Sequence, residues 1–321
     1  GVEVLGDIEL FARVVDAPVV AITGSNGKST VTTLVAHMLA AAEMDVRVGG
    51  NLGPPALELL DGAVPDCYVL ELSSFQLETT KSLRASVASV LNLSPDHMDR
   101  YCTFDDYVAA KAVVFSGTGA MVINRDDARV VSLTQPGRKV VSYGLDEPED
   151  SHFGLREVQG RRWLAQGHAL LARCDALPLP GRHNISNALA ALAISELLGL
   201  SLVATIGALL DFKGLRHRCE VVADHAGVRW INDSKGTNVG ATCAAIEGLG
   251  DAANLILIAG GEGKDADFAP LVGACEGRGR AAVLFGRDAR LIGQALGPVV
   301  LGFFQERHQV PAKIKRIKLA V

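Results

Sequence analysis

The sequence contains 321 residues, of which 49% are hydrophobic and 21% are charged, and its formal net charge is −5. At about 150 residues per domain, this length predicts roughly two globular domains. The negative charge disfavours a protein that binds nucleic-acid phosphates, and no apolar run approaches the ~20 residues needed to span a bilayer.

The first part of the chain alternates short apolar runs with helical patterns, which is typical of a parallel sheet covered by helices. Residues 151–180 change to short β segments separated by glycines, and these predict a small antiparallel addition. The predicted strands are "APVVAIT", "CYVLELSS", "SVASVLNLS", "GAMVIN" and "KVVSYG", and the predicted helices are "STVTTLVAHMLAAAE", "NISNALAALAISELLGL" and "VATIGALLDF".

A second α/β region follows, in which two short strands flank His225-Ala226-Gly227. It continues with the strand "NLILIAGG", the helix "PLVGACEG", the strand "AAVLFG" and the helix "ARLIGQAL", and the alternation is predicted to end at Leu296. The last segment is rich in lysine and arginine. It predicts a solvated tail, with a basic membrane-surface or docking segment as the alternative.

Glycines in the stretch "AITGSNGKST" separate a predicted strand from a predicted helix. Glycine lets backbone N–H groups approach an anion, and a helix N-terminus stabilises negative charge. We therefore predict a phosphate-binding loop in which Lys28 contacts the β and γ phosphates and the Ser29 hydroxyl binds Mg²⁺. The match to G-x-x-x-x-G-K-[ST] is incomplete, because Ile22 stands where that pattern has its first glycine. A glycine-rich turn beside a surface lysine is the alternative.

Two candidate metal ligands lie just beyond predicted strand ends, where open parallel sheets bind ligands. Glu71 ends the strand "CYVLELSS" and is placed to hold the Mg²⁺ of a nucleotide, unless it is a solvated acid. His97 follows the next strand, between Asp96 and Asp99. A metal ligand and an ordinary surface histidine are both open interpretations of His97.

Lys111 lies among apolar residues in "YVAAKAVVF". In such a setting a lysine often buries its aliphatic stem while its amine reaches solvent. The alternative hypothesis is that a desolvated, neutral amine reacts with CO₂, because the resulting carbamate would be an anionic metal ligand.

Six cysteines are scattered along the chain, and none forms a Cys-x-x-Cys pair. We interpret them as reduced thiols of a cytoplasmic protein, with a zinc site as the weaker alternative.

Motifs along the chain resemble, in order and spacing, those of the Mur ligases. The resemblance covers about residues 1–296 and is closest to the members of the family that add D-glutamate. It accounts for the missing first glycine, because "TGSNGKS" is this family's form of the phosphate loop. The motifs are "TGSNGKST", "GGNLG", "ELSSFQLE", "NLSPDHMDRY", "LPGRHNISNALAA", "GLRHRCE" and "NDSKGTN".

The resemblance implies an α/β fold with two main parts. A central P-loop-type ATP-binding domain with a mostly parallel sheet is expected at 16–215, and a partial Rossmann-like α/β domain at 216–297. A remnant of an N-terminal UDP-binding domain and its linker is expected at 1–15, and an atypical basic tail at 298–321. The chain is thus expected to lack the N-terminal domain and part of the C-terminal domain. Arg216 departs from the family, which usually has proline there.

The implied activity is the ATP-dependent addition of D-glutamate to UDP-N-acetylmuramoyl-L-alanine, by a cytoplasmic monomer with two Mg²⁺ sites, in peptidoglycan precursor synthesis. The implied catalytic residues are Lys28, His97, Lys111 and Lys235. The implied nucleotide-binding residues are Gly24, Ser25, Asn26, Gly27, Lys28, Ser29, Thr30, Asn184, Asn187, Arg218 and Asp233. The implied Mg²⁺ ligands are Ser29, Glu71, His97 and a carbamylated Lys111, and the implied substrate-binding residues are Asn51, Lys235, Thr237 and Lys264.

Other interpretations stay open on the residues alone. Asn184 and Asn187 fit a helix N-cap and first turn, and Asp233 and Lys235 fit a surface ion pair. For the whole chain, the alternatives are a truncated ATP-binding remnant without ligation activity, a ligase like folylpolyglutamate synthase, and a kinase-like P-loop enzyme.

Overall fold

The structure, a computed structural model, describes residues 4–249, 254–263 and 266–297, and the backbone of Phe303–Gln305. The chain divides into two compact units. The first unit consists of Gly1–Ser94, Thr103–Pro178 and Asn184–Phe212, and the second consists of Pro95–Cys102, Leu179–His183 and Lys213–Val321.

The first unit is built on a nine-stranded sheet with the order β2-β3-β1-β4-β5-β6-β7-β8-β9. Neighbouring strands are parallel from β2 to β7, whereas β7, β8 and β9 pair in antiparallel fashion. The predicted parallel sheet with its antiparallel addition is confirmed, and both belong to one sheet. The strands are β1 (Val19–Thr23), β2 (Val46–Gly50), β3 (Cys67–Glu71), β4 (Val87–Val90), β5 (Ala120–Asn124), β6 (Val140–Tyr143), β7 (Phe153–Val158), β8 (Arg161–Gln166) and β9 (Ala169–Arg173).

Local sequence signals start several of the helices. Ser73 with Gln76, and Thr103 with Asp106, form capping boxes in which side chain and backbone bond reciprocally at the helix start. The helices are α1 (Asp7–Ala12), α2 (Lys28–Ala41), α3 (Ser74–Glu78), α4 (Phe104–Ala112), α5 (Ala128–Val131), α6 (Arg182–Leu197) and α7 (Leu202–Asp211), with short 3-10 helices at Ala56–Leu60, Val113–Phe115 and Cys174–Ala176.

The centre of this sheet positions the candidate site. Every residue of β1, β3 and β4 is buried, as expected for parallel strands covered on both faces. After β1 the chain builds β2 and β3 on one side of it and then places β4 on the other side. Such a reversal of strand order opens a crevice at the carboxyl ends of the strands, which is where ligands of α/β sheets bind.

The second unit contains an antiparallel hairpin, β10 (Glu220–His225) with β11 (Val228–Asn232), and a parallel sheet. The hairpin confirms the strands predicted around His225-Ala226-Gly227. The parallel strands are β12 (Leu255–Gly260), β13 (Gly279–Phe285) and β14 (Phe303–Gln305), and the helices are α8 (Val239–Leu249), α9 (Pro270–Cys275) and α10 (Ala289–Leu296). Its core includes Ala259, Leu271, Cys275, Ile292 and Leu296.

One sequence prediction in this unit was wrong. The alternation does not end at Leu296, because β14 pairs in parallel with β13 through Ala282, Val283 and Leu284. Three residues are too few to show a strand periodicity in the sequence. This strand is therefore recognised from its pairing with β13.

Among the described residues, no helix is long and apolar enough to cross a membrane.

Candidate functional site

The glycine-rich loop connects the end of β1 at Thr23 to the start of α2 at Lys28. Gly27, the N-cap residue of α2, has a left-handed backbone with φ of 83°. A Cβ atom at Gly27 would lie 2.4 Å from Asn187 Oδ1, and one at Gly24 would lie 3.0 Å from the Cβ of Leu91. The left-handed backbone therefore favours glycine at Gly27, and a Cβ there would also displace the Asn187 side chain. The predicted strand, loop and helix are present.

The lysine of the loop folds back over the loop itself. Lys28 Nζ donates hydrogen bonds to the carbonyl oxygens of Gly24, at 2.8 Å, and Ser25, at 3.0 Å. Ser29 and Thr30 follow in the first turn of α2, and both are buried. An ammonium group, two hydroxyl groups and the N-terminus of a 14-residue helix thus lie together, which is an arrangement suited to binding a polyphosphate.

Glu71 lies at the same edge of the sheet, opposite Ile22 in the parallel register of β1 and β3. Its side chain is only 2% exposed, so the solvated-acid interpretation was wrong. Oε1 accepts a hydrogen bond of 2.6 Å from Asn51 Nδ2, and Oε2 is buried without a hydrogen-bond partner among the described residues. Burying such an oxygen is costly unless something satisfies it, and a divalent cation would do so.

The donors at this edge fit Mg²⁺, which is commonly held by one or two carboxylates together with the phosphates of a bound nucleotide. Glu71 supplies a carboxylate and Ser29 a hydroxyl. Within the part of the chain that the structure describes, no group of three or more His, Cys, Asp or Glu residues is placed to hold a metal ion.

Asn51 was predicted to face a substrate, and the structure places its side chain on Glu71. Its backbone N–H also donates to the carbonyl oxygen of Glu71, at 2.8 Å. The preceding Gly50 has φ of 93°, and a Cβ there would lie 2.4 Å from that same carbonyl oxygen. The turn therefore holds the exposed Asn51 against the buried carboxylate, and contact with a substrate stays a prediction.

Lys111 is buried, at 2% exposure, so the interpretation in which its amine reaches solvent was wrong. Lys111 Nζ donates to the carbonyl oxygen of Gly24, at 3.0 Å, and to Thr23 Oγ1, at 3.4 Å. The nitrogen also lies 4.7 Å from the centre of the Tyr107 ring. The amine is thus directly beneath the phosphate loop. A carbamylated lysine keeps one N–H group, so the contact with Gly24 is compatible with carbamylation.

His97 belongs to the second unit, whereas Lys111 belongs to the first. His97 has a left-handed backbone with φ of 56°, and its side chain is 32% exposed. Its Nε2 lies 3.7 Å from Asp96 Oδ2, which also accepts a hydrogen bond of 3.3 Å from Asn238 Nδ2. A joint metal role for His97 and Lys111 stays a prediction.

Asn184 and Asn187 lie in the first two turns of α6, which begins at Arg182. Asn184 is therefore not the N-cap of this helix. Asn187 Nδ2 donates to Asn184 Oδ1, at 3.2 Å, and Asn187 Oδ1 occupies the space beside Gly27. This pair contacts the phosphate loop directly, and its predicted place near the adenine stays untested.

The remaining predicted residues that the structure describes belong to the second unit. Asp233 Oδ1 accepts a hydrogen bond of 3.0 Å from the backbone N–H of Cys219. Burial raises the pKa of Asp233, against the opposing effect of this hydrogen bond. Lys235 and Thr237 are exposed, and Arg218 is half-buried after a turn in which its N–H donates to Leu215. Lys264 lies outside the described residues.

Sequence reasoning missed Asn92 and Ser94, which follow β4 and bond to the phosphate loop. Asn92 makes two hydrogen bonds to the backbone of Asn26, and Ser94 makes two to the side chain of Ser25. Their position in the sequence could have identified them, because polar residues shortly after a buried strand lie at the ligand-binding edge of a parallel sheet.

Comparisons with known proteins identify the family to which the chain is similar. Residues 22–195 match the family described as "Mur ligase middle domain", and residues 217–319 match "Mur ligase, glutamate ligase domain". The chain is 59% identical over 289 residues to the UDP-N-acetylmuramoylalanine--D-glutamate ligase of Nitrosococcus oceani, which covers 90% of this chain and 64% of that protein. It is 52% identical over 300 residues to the enzyme of the same name from Methylococcus capsulatus, with 94% and 65% covered.

A solved structure, MurF from Acinetobacter baumannii, has the same fold. Its TM-score is 0.72 at 20% identity, and the match covers 90% of this chain and 67% of that one. The chain thus spans somewhat less than two thirds of the two curated relatives named above, while matching Mur ligase sequences over most of its own length. The chain belongs to the Mur ligase family.

Proposed function

We propose that this protein is an ATP-dependent amide ligase of peptidoglycan precursor synthesis. It joins D-glutamate to the L-alanine carboxylate of UDP-N-acetylmuramoyl-L-alanine and releases ADP and phosphate. Two relatives with this name are 59% and 52% identical to the chain, which supports the choice of substrates. The observation that carries the proposal is Glu71 Oε2, which is buried without a hydrogen-bond partner among the described residues, at the same sheet edge as the phosphate loop.

The reaction must first make a carboxylate reactive. An amine cannot readily displace oxide from a carboxylate, so a carboxylate oxygen first attacks the γ-phosphorus of ATP and ADP leaves. The resulting acyl phosphate has a good leaving group. The amine of D-glutamate then attacks the carbonyl carbon, loses a proton, and expels phosphate. Phosphoryl transfer of this kind depends mainly on positioning and on charge neutralisation.

The first unit supplies the groups that such a transfer needs. Lys28 and the N-terminus of α2 would hold the phosphates, and Ser29, Thr30 and Glu71 would hold the nucleotide and its Mg²⁺. When bound, Mg²⁺ would offset the repulsion between the triphosphate and the attacking carboxylate. Asn51 keeps the Glu71 carboxylate in place through its 2.6 Å hydrogen bond. The family as a whole uses ATP and Mg²⁺, which supports this assignment.

A second Mg²⁺ site is proposed for His97 and a carbamylated Lys111, near the reacting carboxylate. The burial of Lys111 beneath the phosphate loop supports the carbamate, because burial favours the neutral amine that reacts with CO₂. Activity lost in Lys111→Ala and recovered with added short carboxylates would support this role, and the absence of recovery would count against it.

The remaining roles follow the family resemblance. Asn51 also faces the UDP-sugar substrate, and Asn184 with Asn187 contacts the nucleotide on its adenine side. Arg218 and Asp233 bind the nucleotide, and Lys235 and Thr237 bind substrate, with Lys235 also catalytic. Lys264 helps to receive D-glutamate. We further propose a cytoplasmic monomer with an ATP-binding domain at 16–215 and an amino-acid-binding domain at 216–297.

Amino-acid-dependent phosphate release tests the proposal. The chain is given Mg²⁺, ATP and UDP-N-acetylmuramoyl-L-alanine, with D-glutamate, L-alanine, diaminopimelate or no amino acid. Release that requires D-glutamate is expected, and it should be lost in Lys28→Ala. Nucleotide binding without release under any of these conditions would instead favour a protein that binds ATP without ligation.

A further inference from the structure

Residues Asn92 to Ser94, which follow β4 after one intervening residue, wrap around the phosphate loop. The backbone N–H of Ser25 donates to the carbonyl oxygen of Asn92, at 2.9 Å. Ser25 Oγ donates to the carbonyl oxygen of Ser94 and accepts from the Ser94 N–H, each at 2.9 Å. We call residues 92–94 the loop clamp.

Asn92 makes the most specific contact of the loop clamp. Its Oδ1 accepts from the backbone N–H of Asn26, at 2.8 Å, and its Nδ2 donates to the carbonyl oxygen of Asn26, at 3.0 Å. One side-chain amide thus binds both polar groups of a single loop residue, as a neighbouring strand would. This two-point contact fixes the orientation of Asn26, because rotating either peptide would break one of the two bonds.

The loop clamp also decides which backbone groups of the loop are already used. The N–H of Ser25 bonds to Asn92 O, and the N–H of Asn26 bonds to Asn92 Oδ1. Neither of these N–H groups can donate a hydrogen bond to an anion while the loop clamp is in place. The phosphate-binding donors are therefore assigned to Gly27 and the first turn of α2, where glycine provides no side-chain cap.

We propose that Asn92 is a positioning residue, which holds the phosphate loop in its anion-binding conformation through Asn26. This inference rests on the proposed ATP site. Without the amide, the two hydrogen bonds from Asn92 to the Asn26 backbone would be lost and the peptides of Asn26 would be less constrained, so that part of the binding energy would go into ordering the loop. Removing the Asn92 amide is therefore expected to weaken nucleotide binding by more than a general loss of stability would.

Asn124 offers a matched control. It lies at the end of β5, and its amide also makes two hydrogen bonds to backbone groups, donating to Leu91 O at 2.8 Å and accepting from Asp126 N–H at 2.9 Å. It is buried and contacts the residue just before the loop clamp, but neither of its two bonds reaches the phosphate loop. Asn92 itself is half-buried, so Asn124→Ala reproduces the loss of an amide with two backbone hydrogen bonds, at a more buried position and without touching Asn26.

The experiment is calorimetric titration of Mg²⁺·ADP into the wild type, Asn92→Ala, Asn92→Ser and Asn124→Ala. It is performed at a temperature where circular dichroism shows every protein to be folded. Asn92→Ser is included because its hydroxyl cannot span both groups of Asn26, and it stands in for Asn92→Ala if the alanine variant does not fold. We expect both Asn92 variants to bind ADP about tenfold more weakly, with Asn124→Ala within about twofold of the wild type.

Two results would overturn the inference: equal ADP affinity in the wild type and the Asn92 variants, or an equal loss in Asn92→Ala and Asn124→Ala. The second result would mean that general destabilisation explains the effect. Failure of the wild type itself to bind ADP would instead overturn the proposed ATP site, and with it this inference.

Discussion

At the scale of single residues, the site is marked by a buried carboxylate oxygen that no described residue satisfies. Most buried polar atoms in proteins have a hydrogen-bond partner, yet Glu71 Oε2 has none within the described residues. Asn51 satisfies only the other carboxylate oxygen. The fold thus bears a desolvation cost at the position where a cation would bind, as is common for functional sites.

Glu71→Gln should separate metal binding from stability. The variant keeps the shape of the side chain and an acceptor for Asn51, and it removes a buried carboxylate oxygen for which the described part of the chain offers no partner. We expect the free energy of unfolding to change by less than about 1 kcal/mol. We expect the Mg²⁺ affinity of the ADP-bound protein to fall by at least about tenfold, measured by titrating Mg²⁺ at fixed ADP. Glu58→Gln, which removes an exposed carboxylate, is the control, and equal Mg²⁺ affinity in the two variants would refute the role of Glu71.

Gly27→Ala tests the need for glycine in the phosphate loop. Gly27 and Gly199 both have positive φ, of 83° and 77°. A Cβ added at Gly27 would meet Asn187, whereas a Cβ added at Gly199 would have no described atom within 4 Å. Backbone strain alone should cost about 1 kcal/mol in Gly199→Ala. Gly27→Ala should cost more and should weaken ADP binding about tenfold, because the Asn187 side chain must move. Urea unfolding and ADP titration measure the two effects. Similar stability and similar ADP affinity in both variants would show that the contact with Asn187 is unimportant.

At the scale of elements, α1 is tied to the first unit by one buried acid. Glu9 accepts hydrogen bonds from the N–H groups of Lys81 and Ser82, at 2.7 and 2.8 Å, and from the Ser82 hydroxyl, at 2.7 Å. Arg13 adds a further bond at 2.8 Å. The two backbone bonds are the main cause that lowers the pKa of Glu9 from 4.5 to about 2.

This shift predicts how stability changes with pH. The pKa of Glu9 is lower in the folded protein than in the unfolded chain, so its contribution is complete above about pH 4.5 and is lost as the pH falls towards 2. Glu9→Gln should cost about 2 kcal/mol at pH 7, as expected for hydrogen bonds to a charged group. Its free energy of unfolding should also fall less steeply than that of the wild type between pH 5 and 3. Urea unfolding at several pH values measures both, and parallel pH profiles would contradict this role of Glu9.

The order of elements could be predicted from the sequence more fully than the contacts between them. β1, β3 and β4 are mostly apolar, and glycines precede Lys28 in the loop. The order of strand, loop and helix can therefore be predicted from the local sequence pattern. The clamp on the loop could not be predicted, because Asn26 and Asn92 are 66 positions apart and meet only through the pairing of β1 with β4. Neither the sequence around Asn26 nor the sequence around Asn92 contains a local pattern that predicts this contact.

At the scale of the whole molecule, the proposed reaction needs residues from both units. The phosphate loop and Glu71 lie in the first unit, and His97, Asp233 and Lys235 lie in the second. The motifs predicted the family, and the family comparison confirms it. The chain spans 64% and 65% of two curated relatives, so its turnover has to be measured on this chain directly.

The most direct test of the central claim follows the carboxylate oxygen. The chain is supplied with Mg²⁺, ATP, D-glutamate and UDP-N-acetylmuramoyl-L-alanine whose alanine carboxylate carries ¹⁸O at both oxygens, and the released phosphate is analysed by mass spectrometry. Activation as an acyl phosphate transfers a carboxylate oxygen to phosphorus, so each phosphate molecule should carry one ¹⁸O atom. Phosphate without label, or no phosphate released with all substrates present, would contradict the proposed reaction.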